Sequence, residues 1–154
     1  MKLKNTLLAV TDMEKSVEFY KKVLGLRVTA DFGANVTLTG GLSLQTHETW
    51  AEFLGRSPEE LGWAGKVGEI YFEEDDFDAF AEKLKDFDIV YVHPVIEHRW
   101  GQRAVRFYDL DSHIIEVGEN LKAVVRRFLD SGMTPEQTAE RMDVQLKFVK
   151  ACMR

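Results

Sequence analysis

The chain has 154 residues, 45% of them hydrophobic and 30% charged, with a net charge of −6. That length fits one domain with a sizeable core, and the composition is ordinary for a globular protein rather than a disordered or fibrous one. No apolar run approaches the ~20 residues of a membrane span, and the acidic balance argues against nucleic-acid binding by the whole chain while suiting cationic ligands.

Residues 1–5 lead directly into a strand pattern without a signal peptide's apolar region. Cys152 is the single cysteine and can form no internal disulfide, which fits a reducing cytoplasm. Residues 6–10 are rich in β formers. Thr11, with Glu14 three residues later, reads as a capping box. Met13, Val17, Tyr20 and Leu24 then recur at helical spacing as far as Gly25. Strands are expected over 26–32, 36–39 and 42–46, the last two joined through Gly40 and Gly41. The segment 47–66 differs in character. Trp50, Phe53 and Leu54 form a short helical stripe, and Ser57 with Pro58 looks like a helix start. It reads as a connection that carries Trp50 and Trp63.

A strand is expected again over 69–73. Asp75 and Asp76 precede a helix with the stripe Phe77, Phe80, Ala81 and Leu84. A strand over 89–92 ends near Pro94, and 95–99 continues after a break. Residues 103–117 then read as strand, tight turn and strand, with turn formers at 109–112. Glu116 is the one carboxylate in the apolar run 113–117. A charge is rarely buried without a partner, so Glu116 faces either water or something that binds it.

Residues 5–47 and 69–118 therefore both read β-α-β-β-β, an internal repeat in architecture. Asn5 to Asp12 and Glu69 to Asp76 keep one separation; Gly41 to Gln45 and Ser112 to Glu116 keep another. The tail from 119 breaks the pattern. Leu121, Val124, Val125, Phe128 and Leu129 form a helical stripe stopped by Gly132. Thr134 to Gln137 is a second capping box, and 144–153 forms a third helix. The last two helices have the outline of a helix-turn-helix, with only Lys147, Lys150 and Arg154 as a basic face. Packing on the domain or on a partner subunit accounts for them better than base readout does.

Three segments carry a resemblance. They are Ala9-Val10-Thr11-Asp12-Met13-Glu14-Lys15-Ser16-Val17-Glu18-Phe19-Tyr20 with Leu24-Gly25, then Glu73-Glu74-Asp75-Asp76-Phe77-Asp78-Ala79-Phe80, and then Trp100-Gly101-Gln102-Arg103 with Phe107-Tyr108-Asp109-Leu110-Asp111-Ser112-His113-Ile114-Ile115-Glu116. In this order the chain resembles the glyoxalase/bleomycin-resistance/extradiol-dioxygenase superfamily, the vicinal oxygen chelate proteins, over residues 3–118. The resemblance implies an α+β fold. Two βαβββ modules, about 3–47 and 67–118, would form a cup-shaped mixed sheet in a domain of residues 1–118, followed by a helical extension at 119–154. It also implies a small-molecule ligand in the cup, a homodimer, and in catalytic members a divalent metal.

Carried over by position, the implied metal ligands are Asn5, Gln45, Glu69 and Glu116. Asn5 and Glu69 stand where histidine is common. No imidazole remains among the four, so the oxygen set suits Mg, Mn or Ca more than Zn or Ni. Amide oxygens are weak ligands, so the site equally reads as metal-free. Two carboxylates facing one cavity without a metal repel, and one holds its proton to a higher pH. Glu69 and Glu116 would then be the catalytic acid and base, or bind a cation.

Candidate ligand contacts are His47, placed on the face of Gln45 by strand periodicity, and Tyr71, which shares parity with Glu69. Trp50, Trp63 and Trp100 are candidates for the rim. Arg103 either holds an anionic group of the ligand or pairs with a local carboxylate. His93, His98 and His113 lack zinc-like spacing. Three functions remain open: a metal-dependent lyase, isomerase or dioxygenase-type enzyme, a sequestering protein of bleomycin-resistance type, or a ligand-responsive regulator using the tail.

Overall fold

Asp12, and not Thr11, opens the first helix: its side chain accepts a hydrogen bond from Lys15 N–H. The Thr11 hydroxyl instead donates to Asp111 at 2.6 Å. A computed structural model describes residues 4–62 and 69–153 of the chain. It divides into two compact units, residues 1–66 with 109–113, and residues 67–108 with 114–154. Each contains one four-stranded mixed sheet with helices, and the fold is α+β.

The first unit contains β1 (Thr6–Val10), α1 (Met13–Lys22), β2 (Val28–Asp31), β3 (Asn35–Leu38), β4 (Leu42–Thr46) and α2 (His47–Phe53). Its sheet runs β1-β4-β3-β2, with β1 parallel to β4 and the other pairs antiparallel. Strand periodicity separates the faces. Val36, Leu38, Leu42 and Leu44 lie on one face and, with Val10, Tyr20 and Val23, form a buried core. Full burial of a side chain such as Leu44 contributes about 1.5–3 kcal/mol. Asn35, Thr37, Ser43 and Gln45 occupy the opposite face. The expected turn at Gly40 and Gly41 is present; both residues have positive φ, which glycine adopts without steric cost. His47 begins α2 rather than extending β4, so strand parity does not place it with Gln45.

The second unit contains β5 (Glu69–Glu74), α3 (Phe77–Leu84), β6 (Tyr91–Glu97), β7 (Arg103–Tyr108) and β8 (Ile114–Glu119), in the order β5-β8-β7-β6. Phe77, Phe80 and Leu84 of α3 are buried, as the helical stripe requires. Val105, Phe107, Ile115 and Val117 form the apolar face of the sheet. β6 is one strand through Pro94, where a break was expected. An edge strand tolerates proline, and the register shifts on both sides of His93 absorb the irregularity. The helices α4 (Leu121–Asp130), α5 (Pro135–Met142) and α6 (Leu146–Cys152) follow. Val124, Val125, Phe128, Ala139, Met142, Val149 and Cys152 form their common core. The expected capping box at Thr134 and Gln137 starts α5, and Asp143 ends it in the left-handed region.

Candidate functional site

Strand periodicity places Glu69, Tyr71 and Glu73 on one face of β5. The ladder carries that face across the sheet, with Tyr71 beside Glu116, Glu116 beside Arg106, and Arg106 beside His93. The Arg106 guanidinium lies between the two carboxylates. Its Nε donates to Glu69 Oε2 at 2.8 Å and its Nη2 to Glu69 Oε1 at 3.3 Å. Nη2 also donates to Glu116 Oε2, and Nη1 faces His93 Nε2 at 3.2 Å. His93 Nδ1 is 2.8 Å from the Pro94 carbonyl. The two contacts together specify the tautomer with hydrogen on Nδ1, so that Nε2 accepts from Arg106.

The carboxylates respond oppositely. Hydrogen bonding to Arg106 holds Glu69 below the usual carboxylate range. Burial, joined by the interaction with Glu69, pushes Glu116 up to about 7 even though Arg106 opposes the shift. Glu116 is 6% exposed. The pair therefore keeps one proton near neutrality, and the Glu116 carboxyl can give or take it.

A chain of hydrogen bonds ending on Glu73 adjoins this cluster. Trp100 Nε1 donates to Gln102 Oε1 at 3.1 Å, and Gln102 Nε2 donates to the Tyr71 hydroxyl at 3.0 Å. The Tyr71 hydroxyl donates to Glu73 Oε1 at 3.2 Å. Gly118 makes room for this chain: a Cβ there would lie 2.9 Å from Gln102 Nε2 and 3.0 Å from the Tyr71 ring. Arg103 takes the local-pair option left open by its sequence. It donates to Asp78 at 2.7 Å and to the buried Glu119 at 3.1 Å, and lies over the Phe77 ring.

In the first unit, Asn5 Nδ2 donates to Ser43 Oγ at 2.9 Å. Gln45 is buried; its Oε1 accepts from Asn35 Nδ2 at 2.9 Å and its Nε2 donates to Thr49. His47 and Trp50 line a cavity of about 370 Å³ with Leu7, Arg56, Asp111 and His113. Asp111 Oδ1 accepts from the Thr11 hydroxyl, while Oδ2 is buried without a hydrogen-bond partner among the described residues. Asp109 organises the turn beneath: its side chain accepts from the Tyr20 hydroxyl at 2.8 Å and from the His113 N–H at 2.8 Å. Burial works against protonation of His113, but Asp109 outweighs it and raises its affinity for a proton. Trp63 lies outside the described residues. Among the described residues no group of three or more His, Cys, Asp and Glu is placed to hold a metal ion, and no helix is long and apolar enough to cross a membrane.

The glyoxalase-like domain family matches residues 3–122. The chain belongs to this family. It is 30% identical over 124 residues to the uncharacterised protein YraH of Bacillus subtilis, a match that covers 76% of this chain and 97% of that one. A crystal structure of a protein of unknown function from Agrobacterium tumefaciens aligns with 33% identity and a TM-score of 0.71, covering 78% of this chain and 94% of that one. A member of the glyoxalase/bleomycin resistance protein/dioxygenase superfamily from Sphaerobacter thermophilus aligns with 25% identity and a TM-score of 0.57, covering 78% and 98%.

Within this glyoxalase-like chain, three contributors carried no role in the sequence reading: Arg106, His93 as its acceptor, and Gln102. The signal for Arg106 was available. Once Phe107 is paired with Ile115 across the hairpin, Arg106 must stand opposite Glu116. Gln102 gives no comparable signal, because its partners come from β5 and β8 and its own position is in a turn.

Proposed function

We propose that this glyoxalase-like protein binds a small molecule against the polar face of its second sheet and exchanges a proton there through Glu116, without a divalent metal. The observation that carries this reading is the Arg106 guanidinium bridging Glu69 and Glu116. A fixed monocation already balances the ionised carboxylate, and a divalent ion would have to displace it. One further implied ligand atom is already engaged, since the Gln45 carbonyl oxygen accepts from Asn35 Nδ2. The donor set thus fits a guanidinium better than a metal.

The test combines elemental analysis of protein purified without chelators with an NMR titration of the Glu116 carboxyl. The expected result is substoichiometric metal and a midpoint of about 7. A stoichiometric metal that disappears in Glu116→Gln overturns the reading. Stability supplies a second readout. The folded state holds the Glu116 proton to higher pH than the unfolded chain does, so this contribution is full below the ordinary carboxylate range and is lost as pH rises through about 7. Glu69 contributes with the opposite sign, losing its share as pH falls. Glu116→Gln imitates the protonated acid. It should be more stable than the native protein at pH 8 by about 1–2 kcal/mol, with the difference shrinking as pH falls through about 7 and vanishing only near pH 4, below the ordinary carboxylate value.

A further inference from the structure

The turn that carries Trp100 and Gln102 is held from behind by the C-terminal helices. The turn closes on itself through His98 N–H to Gln102 O and Gly101 N–H to His98 O, both 2.8 Å. From α4, Arg127 Nη2 donates to the Gly101 carbonyl, and the Phe128 ring packs so closely on Gly101 that any Cβ there would overlap it. From α5, Arg141 Nη1 donates to the Arg99 carbonyl and Nη2 to Glu97 at 3.2 Å. Asp143, at the end of α5, accepts from Arg99 Nη2 at 3.0 Å. The other side of the turn meets the sheet. Gln102 is buried and donates to both the Tyr71 hydroxyl and the Glu119 carbonyl, while His98 and Trp100 stack at 4.4 Å.

We propose that the C-terminal helices are a positioning element for this polar face: by gripping residues 97–101 they fix where Trp100 and Gln102 stand beside Tyr71. The family match ends at residue 122, so the gripping residues Arg127, Phe128, Arg141 and Asp143 all lie beyond it. The extension thereby gives this chain a means of shaping its ligand face that the matched domain does not itself contain. The inference rests on the proposed role of that face, and its failure is separable from the failure of that role.

The test uses the full chain, labelled for NMR, with Arg141→Met. This change removes both donors and leaves an apolar stem beside Phe128. The Trp100 indole N–H and Gln102 side-chain amide signals should move, and the indole proton should exchange at least roughly tenfold faster, since both Arg141 hydrogen bonds to the turn are lost and one charge-assisted hydrogen bond alone corresponds to about that factor. Arg141→Lys, which keeps a cation for Glu97, should restore part of the protection. Arg99→Ala alters a well-exposed side chain and should shift the same signals in the same direction by less, so it serves if Arg141→Met fails to fold. Unchanged Trp100 and Gln102 signals in either folded variant overturn the positioning role. The Glu116 midpoint, followed in the same samples, judges the face independently: an ordinary carboxylate value in the native protein removes the proton-exchange reading and leaves the grip to be decided by Trp100 alone.

Discussion

The two sheets share one topology and fill the same places with different chemistry. The ladders align Leu7, Ser43 and Thr37 of the first with Tyr71, Glu116 and Arg106 of the second. In the first sheet the row is neutral: Ser43 accepts from Asn5 and shares a 3.1 Å hydrogen bond with Thr37. In the second, Glu69 takes the place of Asn5, and the row becomes two carboxylates around a guanidinium. A neutral row can be buried once its hydrogen bonds are made. An ionic row needs a counter-charge in fixed position, and its unequal burial pushes the Glu116 carboxyl up to about 7. The repeat thus supplies a scaffold twice and a titratable site once.

Removing the counter-charge should break this difference most severely. Arg106→Met leaves Glu69 and Glu116 facing each other, and should cost about 2–4 kcal/mol at pH 8, read by urea unfolding. Part of the loss should return at pH 5, where both carboxyls can bind protons. Added Mn or Ca should also raise the melting temperature of the variant while leaving the native protein unmoved. Equal cation responses in the two proteins would mean that Arg106 does not stand in for a metal. Gly118→Ala should have the next largest effect. The new methyl lands on Gln102 and the Tyr71 ring, and overpacking of this kind costs about 1–3 kcal/mol. The counterpart of Gly118 in the first sheet is Gln45, paired with Asn35 as Gly118 is with Ala104. The glycine is therefore required by the Tyr71–Gln102 contact and not by the repeat. A Gly118→Ala protein with native stability and an unmoved Tyr71 signal would remove that explanation.

The sequence made the fold legible because the signals were local. Capping residues, the 3.6-residue stripe of α3 and the alternation of β4 each specify an element without reference to the rest of the chain. Asp12 displaced Thr11 as a cap because the Thr11 hydroxyl found a partner distant in sequence, Asp111, which no local rule reveals. The site was less legible for a related reason. Counting four residues from each turn aligns Gln45 with Glu116, but the second hairpin is longer than the first. The ladder aligns Ser43 with Glu116 instead, and Gln45 with Gly118. Strand parity identified Glu69 and Tyr71 as sharing a face, but register across the sheet was needed to find Arg106. His47 shows the same limit, since parity stops applying where β4 gives way to α2.

The smallest expected effect sharpens the comparison from the neutral side. Ser43→Ala removes the oxygen that Asn5 and Thr37 share. Asn5 is exposed and can turn to water, whereas Thr37 is half-buried and loses its partner. The cost should be about 1 kcal/mol, that of one neutral hydrogen bond. No group in this row titrates near neutrality, so the cost should be the same in urea unfolding at pH 5.5 and at pH 8. The matching change in the second sheet, Glu116→Gln, should differ from the native protein at pH 8 and much less at pH 5. A pH-dependent cost for Ser43→Ala would show that the rows are electrostatically alike after all. A flat one beside a sloping Glu116→Gln would locate the protein's proton chemistry in the ionic row.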